Sequence, residues 1–527
     1  MKIDQVMQST SYAFRLQRIS SFDFWWRKVF VSRMYRNGAQ NLLCIVTVEL
    51  LPSSLCRLAG SSLHGRVGGF LYCRLYAMSR IAFPSSGVLS LPLAVGSLDR
   101  PLIWVHGQPI TLRRFLAQVR GLAAQLPEGS YAVNLCEDRY HFLLVFCACV
   151  LRGQISLLPP SRAPEMVAEI YGSYPDSYCL GDQTLSLESL CYWRLPEILP
   201  EVDGAMPSLS EDTLVAICFT SGSTGVPQSN PKTWGSLMTG TQQDWSALCS
   251  LCGLQVPTVV ATVPPQHIYG MGFSVLLPLM APVAVHAGRP FFPEDVARTL
   301  AEVPAPRLLV TTPVHLRVLV QSGLRFPEIV GIVSATAPLA RDLAIAAEAC
   351  FGCELREMFG STETCGFAVR RTAYEQAWRL LDGVSIEVDA DVTWVRARHL
   401  AAPVSIADLV DVYDDGRFEV LGRQADLLEI AGKRASLSEL NRCLLAIPGV
   451  IDGALVQMPL EADQAVGRIA AVVVAPTLQE VHIQKMLRTK MDPLFLPRRL
   501  RKVDALPRNE TGKLPREALL ALLADVC

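Results

Sequence analysis

Phe219-Thr220-Ser221-Gly222-Ser223-Thr224-Gly225-Val226-Pro227 begins where the apolar run 214–219 ends. The run before it reads as a buried strand, so the hydroxyl- and glycine-rich stretch sits at a strand end. Glycine allows turns that a Cβ would obstruct and leaves consecutive N–H groups open. Such N–H groups form a concave anion nest, to which Ser and Thr hydroxyls add donors. A polyphosphate is the natural guest. No G-x-x-x-x-G-K-[ST] can be laid on the segment, so it is not a Walker A loop. A flexible Ser/Gly linker is the competing reading, but linkers seldom follow a buried strand so directly.

Working outward, apolar runs alternate with helical patterns from Leu89 onward. Residues 131–135, 155–158, 258–263, 307–311 and 329–334 read as strands. Residues 141–151, 293–302 and 340–350 read as helices. This alternation predicts an α/β fold, with a large domain of mainly parallel sheets covered by helices. Ligands of such sheets bind outside the carboxyl ends of the strands, where Thr220 lies. The texture changes after about residue 390. Residues 410–421 read as a hairpin around Asp414-Asp415-Gly416. A helix is expected from Leu437, with Ser436 as cap and Glu439 three residues on. A small mobile α+β domain is therefore expected at 423–527, after a large domain at 86–422. There is no internal repeat and no low-complexity tract.

The 527 residues are half hydrophobic and carry a net charge of −1. That balance gives no electrostatic case for nucleic acid or an anionic membrane as partner. It hides a basic head. Residues 1–80 hold eleven Lys/Arg against Asp4, Asp23 and Glu49, a net charge of +8. Residues 1–85 form a basic extension with three readings. They are a targeting segment, a basic membrane-surface helix, or translated upstream sequence with the true start at Met78. The last is preferred, because the globular pattern begins only near Leu89. The run 42–51 is too short to span a bilayer and contains Glu49, so no transmembrane segment is expected. Sixteen scattered cysteines point to reduced thiols and a cytoplasmic protein. Two C-x-x-C pairs, Cys249/Cys252 and Cys350/Cys353, lie in apolar or helix-like surroundings and read as packing cysteines.

Three further clusters carry chemistry. In Glu357-Met358-Phe359-Gly360-Ser361-Thr362-Glu363-Thr364, a glycine turn meets hydroxyls and a carboxylate. Mg²⁺ prefers a carboxylate together with phosphate oxygens, which makes Glu363 a metal candidate. Asp408 can hold a ribose diol, and Arg423 after Gly422 supplies a donor fork. Lys513, on the Gly512 turn of residues 506–514, can be swung into a site as a point charge. Each cluster alone is equally an ordinary solvated turn.

The four clusters, in this order and at these separations, resemble the adenylate-forming ligases. That superfamily includes acyl- and aryl-CoA synthetases, acyl-carrier-protein ligases and adenylation domains. The resemblance covers residues 90–527. It implies that Thr220, Ser221, Gly222, Ser223, Thr224 and Gly225 grip the phosphates of ATP. It implies that Thr362 and Glu363 stand near the α-phosphate and Mg²⁺, with Asp408 and Arg423 on the ribose. Lys513 would bridge carboxylate and phosphate during adenylation. Ser334, Ala335, Thr336, His267, Ile268 and Gly360 would line the adenine and acid pockets. The small domain would rotate between two half-reactions. The chain also departs from the pattern. Gln228 stands where a lysine often follows the proline, with Lys232 four residues on. Ala425 beside Asp426 occupies the usual hinge position, and Glu429 a place where many members carry Lys.

Ile268 narrows the substrate. It has no polar atom to pair with an α-ammonium, and a buried unpaired ammonium is costly. An aryl or fatty carboxylic acid fits better than an amino acid. No carrier-type serine follows Lys513, so the thiol acceptor is expected to be CoA or the phosphopantetheine of a separate acyl carrier protein. The compact core resembles stand-alone ligases of aryl-polyene or polyketide pigment pathways, which favours the carrier. A catabolic aryl- or acyl-CoA ligase is one alternative. A non-catalytic nucleotide-binding protein on the same fold is the other.

Overall fold

The computed structural model describes residues 24–25, 29–37, 41–48, 51–52 and 89–524. Within the last range, residues 186–189, 222–226, 254–255, 390–391, 424–425, 431–432, 460–467, 509–511 and 513 are left out. Contacts divide the chain into Met1–Gly87 and Val88–Cys527. In the first unit, Val29–Asn37 pairs antiparallel with Asn41–Val48, and Phe24–Trp25 with Leu51–Pro52.

Two sheets dominate the second unit. The smaller has six described strands, in the order Tyr192–Arg194, Ser177–Gly181, Tyr131–Asn134, Ile155–Leu158, Leu214–Ser221 and Pro227–Thr233. All neighbours are parallel except the last pair. The larger has nine. Six of them, Pro101–Val105, Ala284–His286, Thr258–Ala261, Arg307–Thr311, Gly331–Ser334 and Glu354–Ser361, run parallel side by side. Antiparallel strands close both edges, Gln108–Thr111 at one and Cys365–Arg370 followed by Arg379–Leu380 at the other. The expected α/β architecture with mainly parallel, helix-covered sheets is present.

The core lies between the sheets. One continuous buried cluster takes Ala132, Leu158, Val215 and Cys218 from the first sheet and Val259, Leu308, Val333 and Met358 from the second. Helix Arg139–Arg152 belongs to it along nearly its whole length. An apolar sequence all round a helix demands burial on every side. Asp138 caps its start by accepting from the His141 N–H. Gly153, at φ +78°, ends it in the left-handed conformation that glycine adopts without penalty.

Beyond the main sheets, Asp408–Val412 pairs antiparallel with Phe418–Arg423. This hairpin packs Val410 and Phe418 against Phe367 of the larger sheet. Helix Leu437–Leu445 starts as expected, with Ser436 Oγ accepting from the Glu439 N–H. It joins helix Glu480–Lys490 over a sheet of Asp452–Gln457, Ile469–Val474 and Arg499–Lys502 that has cores of its own. Among the described residues no helix is long and apolar enough to cross a membrane.

Candidate active site

The strand from Leu214 runs on through Thr220 and Ser221, which pair with Gln228 and Pro227. Residues 222–226, and with them Gly222, Ser223, Thr224 and Gly225, lie outside the described residues. Gln228 is exposed, whereas Lys232 on the returning strand is buried. The Lys232 ammonium has a main-chain partner. It donates to the main-chain carbonyl of Glu363, 3.2 Å away. The hairpin and the carboxylate-bearing turn are thereby tied together.

That turn joins Glu354–Ser361 to Cys365–Arg370. Its geometry is closed locally. The Ser361 N–H donates to Thr364 Oγ1 at 3.0 Å, and the Thr364 N–H donates to Ser361 Oγ at 3.2 Å. Behind it, His399 places Nε2 2.7 Å from the Thr364 carbonyl and Nδ1 2.6 Å from Gln243 Oε1. Thr362 and Glu363 are half-buried at the crest. The Glu363 carbonyl is held by Lys232, while its carboxylate makes no hydrogen bond or ion pair with another described residue. Glu357, at the start of the same motif, has a different task. Its buried carboxylate takes Arg370, the Thr372 hydroxyl and the Leu339 N–H. It clamps the segment after Ser334 to the neighbouring strand.

Ser334 ends its strand opposite Thr311 on one side and Glu357 on the other. Ala335 is buried, and Thr336 lies at φ +81°. A β-branched residue in that region carries strain of about 1–3 kcal/mol, which gathers at functional sites. His267 precedes the short helix Ile268–Met271, and both His267 and Ile268 are half-buried. The Tyr269 hydroxyl reaches the carbonyls of Thr311 and Val333, at 3.1 and 2.9 Å. The pocket segment is thus pinned across the carboxyl ends of two central strands. Gly270 has no substitute there, since a Cβ would fall 1.9 Å from the Pro264 carbonyl oxygen.

Asp408 and Arg423 stand opposite each other in the antiparallel ladder, just beyond the hairpin expected at 410–421. Lys513 lies outside the described residues. Gly512 before it, at φ +79°, is placed. A Cβ there would meet Val314 Cγ2 at 3.0 Å and Thr312 Oγ1 at 4.0 Å, just beyond the strand Arg307–Thr311. The structure therefore brings Gly512, Tyr269 and Ser334 to one set of strand ends, and Lys232 joins the hairpin of Leu214–Ser221 and Pro227–Thr233 to Glu363. Sequence reading missed the strut role of Lys232, and also Gln243 and His399. Only a lysine displaced from its usual place hinted at the first.

A hairpin whose first strand ends at Thr220 and Ser221, a carboxylate turn tied to it through Lys232 and a set of parallel strand ends make the arrangement of an α/β nucleotide-binding enzyme. Residues 97–394 match the model of the AMP-binding enzyme family, and the chain belongs to that family, the adenylate-forming enzymes. It is 30% identical over 310 residues to a 4-coumarate–CoA ligase of Rhodobacter capsulatus, covering 57% of this chain and 75% of that one. A 4-coumarate–CoA ligase of Halorhodospira halophila is 29% identical over 303 residues, 56% of this chain and 73% of the other. Among solved structures, ATP-bound MatB from Rhodopseudomonas palustris superposes with a TM-score of 0.68 at 19% identity, covering 82% of this chain and 97% of that one. The o-succinylbenzoate CoA synthetase of Bacillus subtilis, with its acyl-adenylate, gives 0.69 at 18% identity, covering 80% and 95%.

Mg²⁺ fits the residues present. Glu363 offers one uncommitted carboxylate on a backbone fixed by Lys232. The described residues hold no group of three His, Cys, Asp or Glu that would make a closed protein cage. A single carboxylate sharing the ion with phosphate oxygens is the ligation Mg²⁺ favours.

Proposed function

We propose that this enzyme activates an aryl or fatty carboxylic acid with ATP and passes the acyl group to a phosphopantetheine thiol, on CoA or on a carrier protein. The observation that carries the reading is the Lys232–Glu363 contact, which fixes the carboxylate turn against the phosphate hairpin and leaves the Glu363 carboxylate free. The names of the relatives, CoA ligases for aryl acids, support the substrate class and the CoA arm. CoA and a carrier end in the same phosphopantetheine thiol, so the second half-reaction is chemically the same for either.

In the first half-reaction a carboxylate oxygen of the acid attacks the α-phosphorus of ATP. An O–P bond forms, the α–β anhydride bond breaks and pyrophosphate leaves. Bound Mg²⁺ supplies charge neutralisation at the phosphates. Thr220, Ser221 and the residues 222–225 hold the phosphate chain through hydroxyls and N–H donors. Thr362 positions the α-phosphate, and Glu363 holds the ion. Lys513 draws the anionic acid and the α-phosphate together against their repulsion, a term paid in advance by a preorganised charge. Asp408 and Arg423 anchor the ribose, and Ser334, Ala335, Thr336 and Gly360 shape the pockets with His267 and Ile268. In the second half-reaction the thiol sulfur attacks the acyl carbon. A C–S bond forms, the C–O bond to phosphate breaks and AMP leaves. Residues 423–527 act as the small domain that carries Lys513 away between the steps.

Carboxylate-dependent exchange of labelled pyrophosphate into ATP tests the first step, with CoA and a carrier protein as arms for the second. Lys513→Ala should lower exchange at least about 100-fold and spare thioester formation from supplied acyl-adenylate. No exchange with any aryl or fatty acid, or equal loss of both steps in the variant, would refute the assignment.

A further inference from the structure

One buried charge in the pocket region has no task in this chemistry. Asp244 stands in helix Trp234–Cys252 and is 7% exposed. Its Oδ1 is buried and has no hydrogen-bond partner. Glu357 shows what the same fold does with a structural buried carboxylate, surrounding it with Arg370, Thr372 and the Leu339 N–H. An orphaned buried carboxylate is costly, and each one in a native fold calls for a partner that arrives from elsewhere.

Its surroundings say where that partner comes from. A Cβ on Gly366 would sit 2.5 Å from Asp244 Oδ1, and one on Gly272 would sit 3.7 Å from Oδ2. Two elements thus approach the carboxyl with glycine. Gly366 is the ladder partner of Gly360. Gly272 opens a π turn, Gly272–Leu276, directly after the pocket helix Ile268–Met271. Such turns often mark functional sites. Gln266 Oε1, two residues before the helix Ile268–Met271, and Ser334 Oγ, at the end of its strand, are also buried without partners. Burial raises the Asp244 carboxyl to about 7, so near neutrality it accepts a hydrogen bond in either form.

We propose that Asp244 is the specificity-determining group of the acid pocket, and that the acid activated here carries a hydroxyl or amino group, remote from its carboxyl, that donates to Asp244 Oδ1. The proposal rests on the acid-activating reading of the site. The reacting carboxylate points to the nucleotide instead, since an ionised carboxylate has no proton to donate to Asp244 and adds like charge beside it. The donor therefore sits at the far end of the acid.

Exchange kinetics on matched acids test it, using benzoates and cinnamates that bear hydroxyl, amino, methyl or hydrogen at the para position. The full chain is compared with Asp244→Asn and Asp244→Leu. A site built for a donor rejects the methyl twin far more strongly than a methylene difference does. The wild type should favour donor-bearing acids by at least about 100-fold in kcat/KM. Asp244→Leu should reverse the order, and Asp244→Asn, which keeps one acceptor oxygen but loses the charge, should cut the preference for donor-bearing acids by about 10-fold or more. The near-isosteric Asn variant carries the test should the Leu variant fail to fold. A wild type indifferent to the donor, or a ratio unchanged in both variants, overturns the proposal and leaves the acid-activating reading standing. Absence of exchange with every acid, while ATP still binds, overturns both.

Discussion

At the scale of single residues, Lys232 does the work of a strut. The chain has Gln228 where a phosphate-binding lysine is common, and the lysine four positions on is buried against the Glu363 carbonyl. Lys232→Met keeps the stem and removes the ammonium, leaving that carbonyl unpaired. The loss should be about 1–3 kcal/mol of stability, read by chemical denaturation. The exchange rate should fall about 10-fold or more, with a raised Mg²⁺ requirement, because the Glu363 turn loses its anchor. A stability loss with an unchanged Mg²⁺ titration would make Lys232 a packing residue only. Asp244 gives a pH signature. Its carboxyl titrates near 7 when folded, raised by burial, and near 3.9 in an unfolded chain. The folded state therefore holds the extra proton, and this contribution to stability is full below about pH 4 and lost as pH rises through 7. Tyr269 and Cys365, which face Asp244, have pKa values pushed up by burial and stay neutral in that range. Thermal midpoints measured from pH 5 to 8 should fall for the wild type and flatten in Asp244→Asn. A curve unchanged by the substitution would show that Asp244 does not carry the slope.

At the scale of elements, the turn between Glu354–Ser361 and Cys365–Arg370 tolerates no added bulk. A Cβ on Gly360 would lie 2.0 Å from the Cys365 carbonyl oxygen, at a register shift and beside a residue already at φ +55°. Gly360→Ala should cost about 1–3 kcal/mol and depress exchange through displacement of Glu363. Wild-type stability and rate in that variant would remove Gly360 from the site. Elements were legible where the local pattern had no rival. The strands Ile155–Leu158 and Arg307–Thr311 and the helix Pro293–Glu302 fall where apolar runs meet Pro or turn residues. The strand expected at 258–263 stops at Ala261 for a long-range reason. Val263 gives its carbonyl to buried Arg139, and Thr262 gives its hydroxyl to contacts with His315 and Thr311. The returning strand Pro227–Thr233 has two prolines and no strand pattern, and its pairing with Leu214–Ser221 alone makes it one. The site followed the same rule. Contiguous clusters such as residues 357–364 stood out, whereas Lys232 and His399 acquire meaning only from partners far off in sequence, and Asp244 only from its burial against distant Gly366.

At the scale of the whole second unit, the Gly512 turn is held at the strand ends by a relay of charges. Arg508 donates to Asp452 at 2.9 and 2.8 Å and to the Gly512 carbonyl at 2.9 Å, so the shape of the turn is coupled to Asp452. Asp452 also lies 3.8 Å from Arg317, whose Nη1 donates to the Ile451 carbonyl at 2.6 Å. Arg317 belongs to helix Pro313–Gln321, whose first turn touches Gly512. One helix thus grips the C-terminal segment at two points, near Gly512 and at Ile451-Asp452. If Lys513 serves the first half-reaction alone, loosening this grip must act unequally on the two steps. Partly exposed ion pairs contribute about 1 kcal/mol or less, and the carbonyl hydrogen bond adds a similar amount. Arg317→Ala should therefore shift the docked population by roughly 10-fold, since about 1.4 kcal/mol is a factor of ten. Pyrophosphate exchange should fall by that order, while thioester formation from supplied acyl-adenylate holds or rises. Equal losses in both steps would mean that Arg317 supports the fold of the segment and does not select its orientation.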